Sequence, residues 1–233
     1  MTQDIPARIR AIRDQIARAA ARADRAPEDV RIVAVAKTQP PATVQAAVDA
    51  GIEDIGENYV QEAQAKAASV HGTVRWHLVG RLQRNKVKAA LQLFSLIHSV
   101  DSVALLNALE ARARDAGRTS VDVLFEVNLA GEASKAGVAP DALEALFAAA
   151  LRCPHVRVCG LMCIPPPPTK PEDSRPYFRQ LRELRDYWQR QLPNAPLHEL
   201  SMGMSDDFAV AVEEGATLLR IGRAIFGERR SAR

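Results

Sequence analysis

The sequence predicts an α/β protein, a (β/α)8 barrel of the TIM type with an extra N-terminal helix. Three observations carry this. Past residue 30 the chain alternates short apolar runs with amphipathic stretches, and the alternation repeats eight times. The clearest runs are rich in Val, Ile and Leu, as strands covered on both faces are. No Gly-rich dinucleotide fingerprint follows the first strand, which argues against an open doubly wound sheet. The 233 residues are near the lower limit for such a barrel. Residues 1–233 are expected to form one domain, with residues 1–28 as a helix packed on the barrel.

The N-terminal helix is predicted over 5–25, where Ile5, Ile9, Ile12 and Ile16 recur at helical spacing and Pro27 closes it. Its Ile face needs a cover, either the barrel or a partner. The strands are then predicted over 31–37, 54–56, 75–79, 93–100, 121–129, 156–164, 198–201 and 217–221. The intervening helices are predicted over 42–50, 59–68, 83–90, 102–115, 140–151, 174–191 and 205–214.

Composition excludes several classes. Net charge is +3, from 31 basic and 28 acidic residues, so neither nucleic acid nor a membrane surface is required as a partner. The short basic run Arg81, Arg84, Lys86, Lys88 lacks interleaved aromatics and reads as a solvated face. No apolar run approaches the ~20 residues of a membrane span, and the N-terminus has no signal-peptide core. Cys153, Cys159 and Cys163 are odd in number and lack metal spacing. They fit a reducing, cytoplasmic compartment.

In a barrel the site forms at the carboxyl ends of the strands. Lys37 ends the first, Asn58 follows the second, and the third carries His77. The fourth carries His98, the fifth Glu126 and Asn128, and the sixth Met162. The seventh runs into Ser201-Met202-Gly203-Met204-Ser205, and the eighth carries Arg220, Gly222 and Arg223. A lysine at a strand end either snorkels into water or, when desolvated, serves as an imine-forming nucleophile. His77 and His98 also read as satisfied core histidines. The loops after strands seven and eight suit a phosphate, as such loops often do in this fold. Gly203 and Gly222 divide between turn and phosphate roles, and Ser205-Asp206-Asp207 reads as a plain helix cap. A strand-end lysine facing a phosphate rim suggests a phosphorylated carbonyl compound, of which pyridoxal 5'-phosphate is the common example. Arg220 is placed to face its pyridine nitrogen. A guanidinium there keeps that nitrogen unprotonated and weakens the electron sink.

Several blocks then resemble one family. They are Val35-Ala36-Lys37-Thr38, Gly56-Glu57-Asn58-Tyr59-Val60-Gln61-Glu62, Trp76-His77-Leu78-Val79-Gly80, Leu82-Gln83-Arg84-Asn85-Lys86 and His98-Ser99-Val100-Asp101. Val127-Asn128 with Ser134-Lys135-Ala136-Gly137, Gly160-Leu161-Met162, Leu200 through Asp207, and Arg220-Ile221-Gly222 continue the series. Together they resemble the pyridoxal-phosphate homeostasis proteins, over nearly the whole chain. The resemblance implies a barrel like the N-terminal domain of alanine racemase, with pyridoxal phosphate bound covalently to Lys37 as an aldimine. It implies that Ser201, Gly222 and Arg223 hold the phosphate, and that Asn58, His77 and Met162 line the pocket. Arg223 stands where many relatives are expected to carry a small hydroxyl residue. It implies a role in vitamin B6 and amino-acid homeostasis without established catalysis, a monomer, and apo enzymes that use the cofactor as candidate recipients.

The alternative is a cofactor-dependent amino-acid racemase, which needs acid and base groups on both faces of the substrate. The chain ends at Arg233, so no C-terminal β-domain with a second base is expected. Tyr59, Tyr177 and Tyr187 are not obvious substitutes.

Overall fold

The computed structural model of the chain describes residues 4–132 and 135–227. Ser134 lies outside them. Eight parallel strands close into a barrel in sequence order. They are β1 (Arg31–Val35), β2 (Asp54–Glu57), β3 (Arg75–Leu78), β4 (Phe94–Val100), β5 (Val121–Glu126), β6 (Val156–Met162), β7 (Glu199–Ser201) and β8 (Leu218–Ile221). The barrel closes where β8 pairs with β1, with Val33 opposite Arg220.

The helices are α1 (Ile5–Arg22), α2 (Pro41–Asp49), α3 (Val60–Ala67), α4 (Val87–Leu91), α5 (Val103–Asp115), α6 (Leu143–Ala150), α7 (Arg175–Gln191), α8 (Phe208–Glu213) and α9 (Arg223–Phe226). The question of what covers the Ile face of α1 has an answer in the chain itself. Ile5, Ile9, Ile12 and Ile16 are all buried, and α1 packs on α2, α8 and α9. Full burial of an isoleucine is worth ~1.5–3 kcal/mol, enough to fix the helix on the barrel wall.

Strand alternation divides the apolar residues into two cores. An outer jacket between strands and helices includes Ile55, Leu78, Ile97, Phe125 and Leu161. An inner plug comprises Val33, Val79, Leu96, Leu124, Cys159, Met162 and Leu218. At the amino ends of the strands the barrel carries ion pairs, Arg31–Glu199 at 2.5 Å, Arg75–Asp54 at 2.7 Å and Arg157–Asp122 at 2.6 Å.

Three strand ends shift in the same direction. β1, β5 and β6 stop two or three residues short of the predicted ends, at Val35, Glu126 and Met162. Beyond these points the backbone leaves the sheet to build the rim. Lys37 therefore stands two residues past β1, in a turn whose Thr38 has φ 65°. Single turns of 3-10 helix (Arg84–Lys86, Pro140–Ala142, Pro171–Ser174) precede α4, α6 and α7. Among the described residues no helix is long and apolar enough to cross a membrane, and no cluster of His, Cys, Asp or Glu is arranged to hold a metal ion.

Candidate functional site

A cavity of about 650 Å³ opens at the carboxyl ends of the strands. Lys37, Asn58, Arg220, Gly222 and Arg223 all line it. Glu126, Asn128, Arg81, Lys135 and Ser205 line it as well. The rim that the sequence marked as polar is thus a single concave site.

Lys37 reaches the cavity because its turn is clamped on both sides. Lys66 of α3 is buried and its Nζ donates to the carbonyl of Ala36 at 2.7 Å and to Glu57 Oε1 at 2.5 Å. On the other side, Thr38 N–H donates to Glu62 Oε2 at 3.3 Å. Glu57 is wholly buried outside the barrel wall. Burial raises its carboxyl above the ordinary range, and Lys66 offsets part of that rise. Asn58 is held by a close backbone approach. A Cβ on Gly80 would lie 2.4 Å from the Asn58 carbonyl oxygen, so only glycine allows the β2 and β3 ends to meet there.

Arg220 enters from inside the barrel and is 5% exposed. Its Nη2 donates to the carbonyl of Cys163 at 2.8 Å and its Nη1 to Ser201 Oγ at 2.7 Å. Both acceptors are neutral. Burial lowers its pKa from the usual arginine value, although a guanidinium remains protonated. A buried cation resting on neutral acceptors favours an electron-rich ligand at its open side. Glu126 faces the same cavity, and burial pushes its carboxyl up to about 7 against the opposing pull of Arg220.

The phosphate-type loops meet as well. Ala224 N–H donates to Ser205 Oγ at 3.1 Å, joining the turn after β8 to the loop after β7. Arg223 pairs with Asp206 across the same junction.

Four residues expected in the pocket lie beneath it. His77, Met162, Ser201 and Gly203 are buried below the lining. Met162 belongs to the inner plug, beside Glu126 of β5 in the register of the sheet. His77 and Ser201 are bonded into a buried side-chain chain with His98 and Asp54. Ser201 therefore lies below the cavity, and Ser205 is the serine on its wall. Gly203 does turn work. Its φ is 87°, and a Cβ there would lie 2.5 Å from the Cβ of Ala211. The helix-cap reading of Ser205-Asp206-Asp207 also changes. Asp207 does sit at the N-cap of α8, yet its carboxylate accepts from Met204 N–H at 2.7 Å and from Ser174 Oγ at 2.7 Å, and makes no cap bond.

The sequence places Glu126 at the rim without marking a role for it in the site. It does not single out Asp54, Lys66 or Glu57. Alternation along β5 gave the available signal for Glu126, since Leu124 and Glu126 share the inward face.

The fold and this cavity define a barrel of the alanine racemase N-terminal type, and the model of that family, described as alanine racemase, N-terminal domain, matches residues 8–230. The pyridoxal phosphate homeostasis protein of Aquifex aeolicus is 45% identical, over 96% of this chain and 97% of that protein. The protein of the same name from Pseudomonas aeruginosa is 43% identical, over 92% of this chain and 91% of its own length. Among solved structures, PipY of Synechococcus elongatus with pyridoxal phosphate bound superposes with a TM-score of 0.85 at 38% identity, covering 96% of this chain and all of that one. The chain belongs to the family of pyridoxal phosphate homeostasis proteins.

Proposed function

We propose that the chain binds pyridoxal 5'-phosphate covalently at Lys37 Nζ and acts in cofactor and amino-acid homeostasis rather than in turnover. One observation carries the reading. Lys37 and Arg220 approach a single cavity from the neighbouring strands β1 and β8, one as a positioned amine and the other as a buried guanidinium. When bound, the cofactor supplies an aldehyde for the lysine and a ring that can delocalise charge. Arg220 donates to the ring nitrogen and cannot give up a proton there, so the ring stays a weak electron sink. Ser205 with the Gly222 and Arg223 turn holds the phosphate. Asn58 borders the ring. The names of the relatives and the bound ligand of PipY support this reading. We extend it to a monomeric carrier that hands the cofactor to apo enzymes.

The racemase alternative is less supported, because Tyr59, Tyr177 and Tyr187 do not line the cavity. The test is visible absorbance of the purified protein, then borohydride reduction and peptide mass mapping. The expected result is a yellow protein with a pyridoxyl group on Lys37, and loss of both in Lys37→Ala. A wild-type chain that stays colourless and unlabelled after incubation with pyridoxal phosphate overturns the proposal.

A further inference from the structure

Beneath the cavity a chain of buried side chains crosses the barrel from one end to the other. Asp54 opens β2 at the amino end. His77 Nε2 lies 2.9 Å from Asp54 Oδ1, and His77 Nδ1 lies 3.0 Å from His98 Nε2. His98 Nδ1 lies 2.8 Å from Ser201 Oγ, which accepts from Arg220 Nη1 at 2.7 Å. Asp54, His77, His98, Ser201 and Arg220 are all at most 5% exposed.

The chemistry of the two ends dictates the direction of every bond between them. A carboxylate only accepts, so His77 donates from Nε2 to Asp54. A neutral His77 then accepts at Nδ1, so His98 donates from Nε2. A neutral His98 accepts at Nδ1, so the Ser201 hydroxyl donates to it and its oxygen is left to accept from Arg220, which only donates. Every group is used in one consistent sense. Reversal requires an added proton on His77. It also aims two donors at Ser201 Oγ and leaves the hydroxyl proton with no acceptor in the chain. Burial above all, with the Arg220 guanidinium facing it across Ser201, disfavours a charged His98. Asp54 is kept ionised at neutral pH. Burial works against this, but hydrogen bonds from Arg75 and His77 prevail and hold it below the ordinary carboxylate range.

We infer that Asp54, His77, His98 and Ser201 form a one-way hydrogen-bond relay that fixes the orientation of Arg220, making Asp54, at the opposite end of the barrel, a positioning residue for the cofactor site. The inference rests on the cofactor reading for its consequence and on the geometry alone for the relay. Breaking a bond that supports a charged group typically costs about tenfold in an equilibrium. Asp54→Asn and Ser201→Ala are therefore each expected to weaken pyridoxal phosphate binding about tenfold and to shift the absorbance maximum of the bound cofactor. Arg157→Met breaks the ion pair with Asp122 at the same end of the barrel without touching a member of the relay, and is expected to leave affinity and spectrum unchanged.

The experiment begins on the cofactor-free protein labelled with ¹⁵N-histidine and ¹⁵N-arginine. Long-range ¹H–¹⁵N correlation at pH 7.5 should show both His77 and His98 neutral with the proton on Nε2, and slow exchange of the Arg220 guanidinium protons. An Nδ1–H tautomer or an imidazolium at either histidine overturns the relay. So does an Asp54→Asn protein that is thermally destabilised yet keeps wild-type affinity and spectrum, since the chain would then be core packing only. Where Asp54→Asn does not fold, Ser201→Ala, which removes a single oxygen, decides the same point. A wild-type protein that takes up no cofactor sinks the functional reading, while the tautomers and the Arg220 exchange still decide the relay.

Discussion

Lys37 is mounted from outside the barrel wall, whereas Arg220, one strand away, is mounted from inside it. The outer mounting holds backbone. Lys66, braced by Glu57, holds the Ala36 carbonyl and Glu62 holds the Thr38 N–H, and the Lys37 side chain follows from where its turn is held. The inner mounting holds a side chain directly, through the hydroxyl of Ser201 and the carbonyl of Cys163. The outer one is ionic, a buried lysine against a buried glutamate. The inner one is a neutral chain stretched between two distant charges. A buried ion pair is costly to break singly but replaceable as a pair. A relay depends on the proton sense of each member. Stability should therefore be more sensitive to the outer mounting, and the electronic state of a bound ligand more sensitive to the inner one.

The largest expected effect breaks the outer mounting. Lys66→Met leaves Glu57 buried with no cation beside it, and such a loss costs ~3–5 kcal/mol. Urea unfolding should show it. Replacing both partners, as Lys66→Met with Glu57→Leu, should recover most of that loss while still lacking the bond to the Ala36 carbonyl. The double variant should then be stable but label poorly at Lys37 under borohydride. Full labelling in the double variant would mean that the turn holds its shape unaided.

Glu126 sharpens the comparison, because it faces the same cavity and its charge is opposed mainly by burial. Its folded-state pKa of about 7 lies above the ordinary glutamate value. In that interval the folded state holds more protons than the unfolded one, so stability declines as pH rises from the unfolded value through about 7. The full cost, roughly 3 kcal/mol from a shift of this size, is present above pH 7 and absent below ~4.3. Glu126→Gln should therefore stabilise the protein by about that amount at pH 8 and have little effect at pH 4. Chemical unfolding of both proteins at the two pH values checks this. A difference that does not change with pH would mean that Glu126 is solvated through the cavity mouth.

The two mountings also differ in how far they were legible in the sequence. The eight-fold strand count, Lys37, Arg220 and the Gly222 turn could be read because each is a local signal at a strand end. The α1 stripe of Ile5, Ile9, Ile12 and Ile16 was equally plain. The partners beneath were not legible, since they depend on which inward residues face one another across a staggered barrel. His77 and His98 meet only after a register shift between Trp76 and His77 on the β3–β4 seam, and no periodicity announces such a shift. The same stagger puts Met162 and Ser201 one layer below the cavity. Lys66 is a different failure. It sits in a helix rich in Gln, Glu and Ala with no cue that its amine turns inward to a carbonyl just past β1.

The smallest expected effect concerns Arg223, whose guanidinium either serves the phosphate site or joins two loops. Its side chain is 47% exposed and Asp206 is 61% exposed. An ion pair that open is worth ~0–1 kcal/mol. The junction it spans is also held by the Ala224 backbone N–H, which donates to the Ser205 hydroxyl and does not need the arginine side chain. Arg223→Ala should therefore change unfolding free energy by less than about 1 kcal/mol. With the guanidinium engaged by Asp206 and the peptide groups of the turn intact, affinity for pyridoxal phosphate should change less than about threefold, which is under 1 kcal/mol. Raising ionic strength should leave that small difference almost unchanged, because screening acts on an exposed charge that reaches the ligand and much less on one already neutralised. A tenfold loss of affinity that vanishes in high salt, with unfolding unaltered, would instead make Arg223 a direct partner of the phosphate and Asp206 the residue that restrains it.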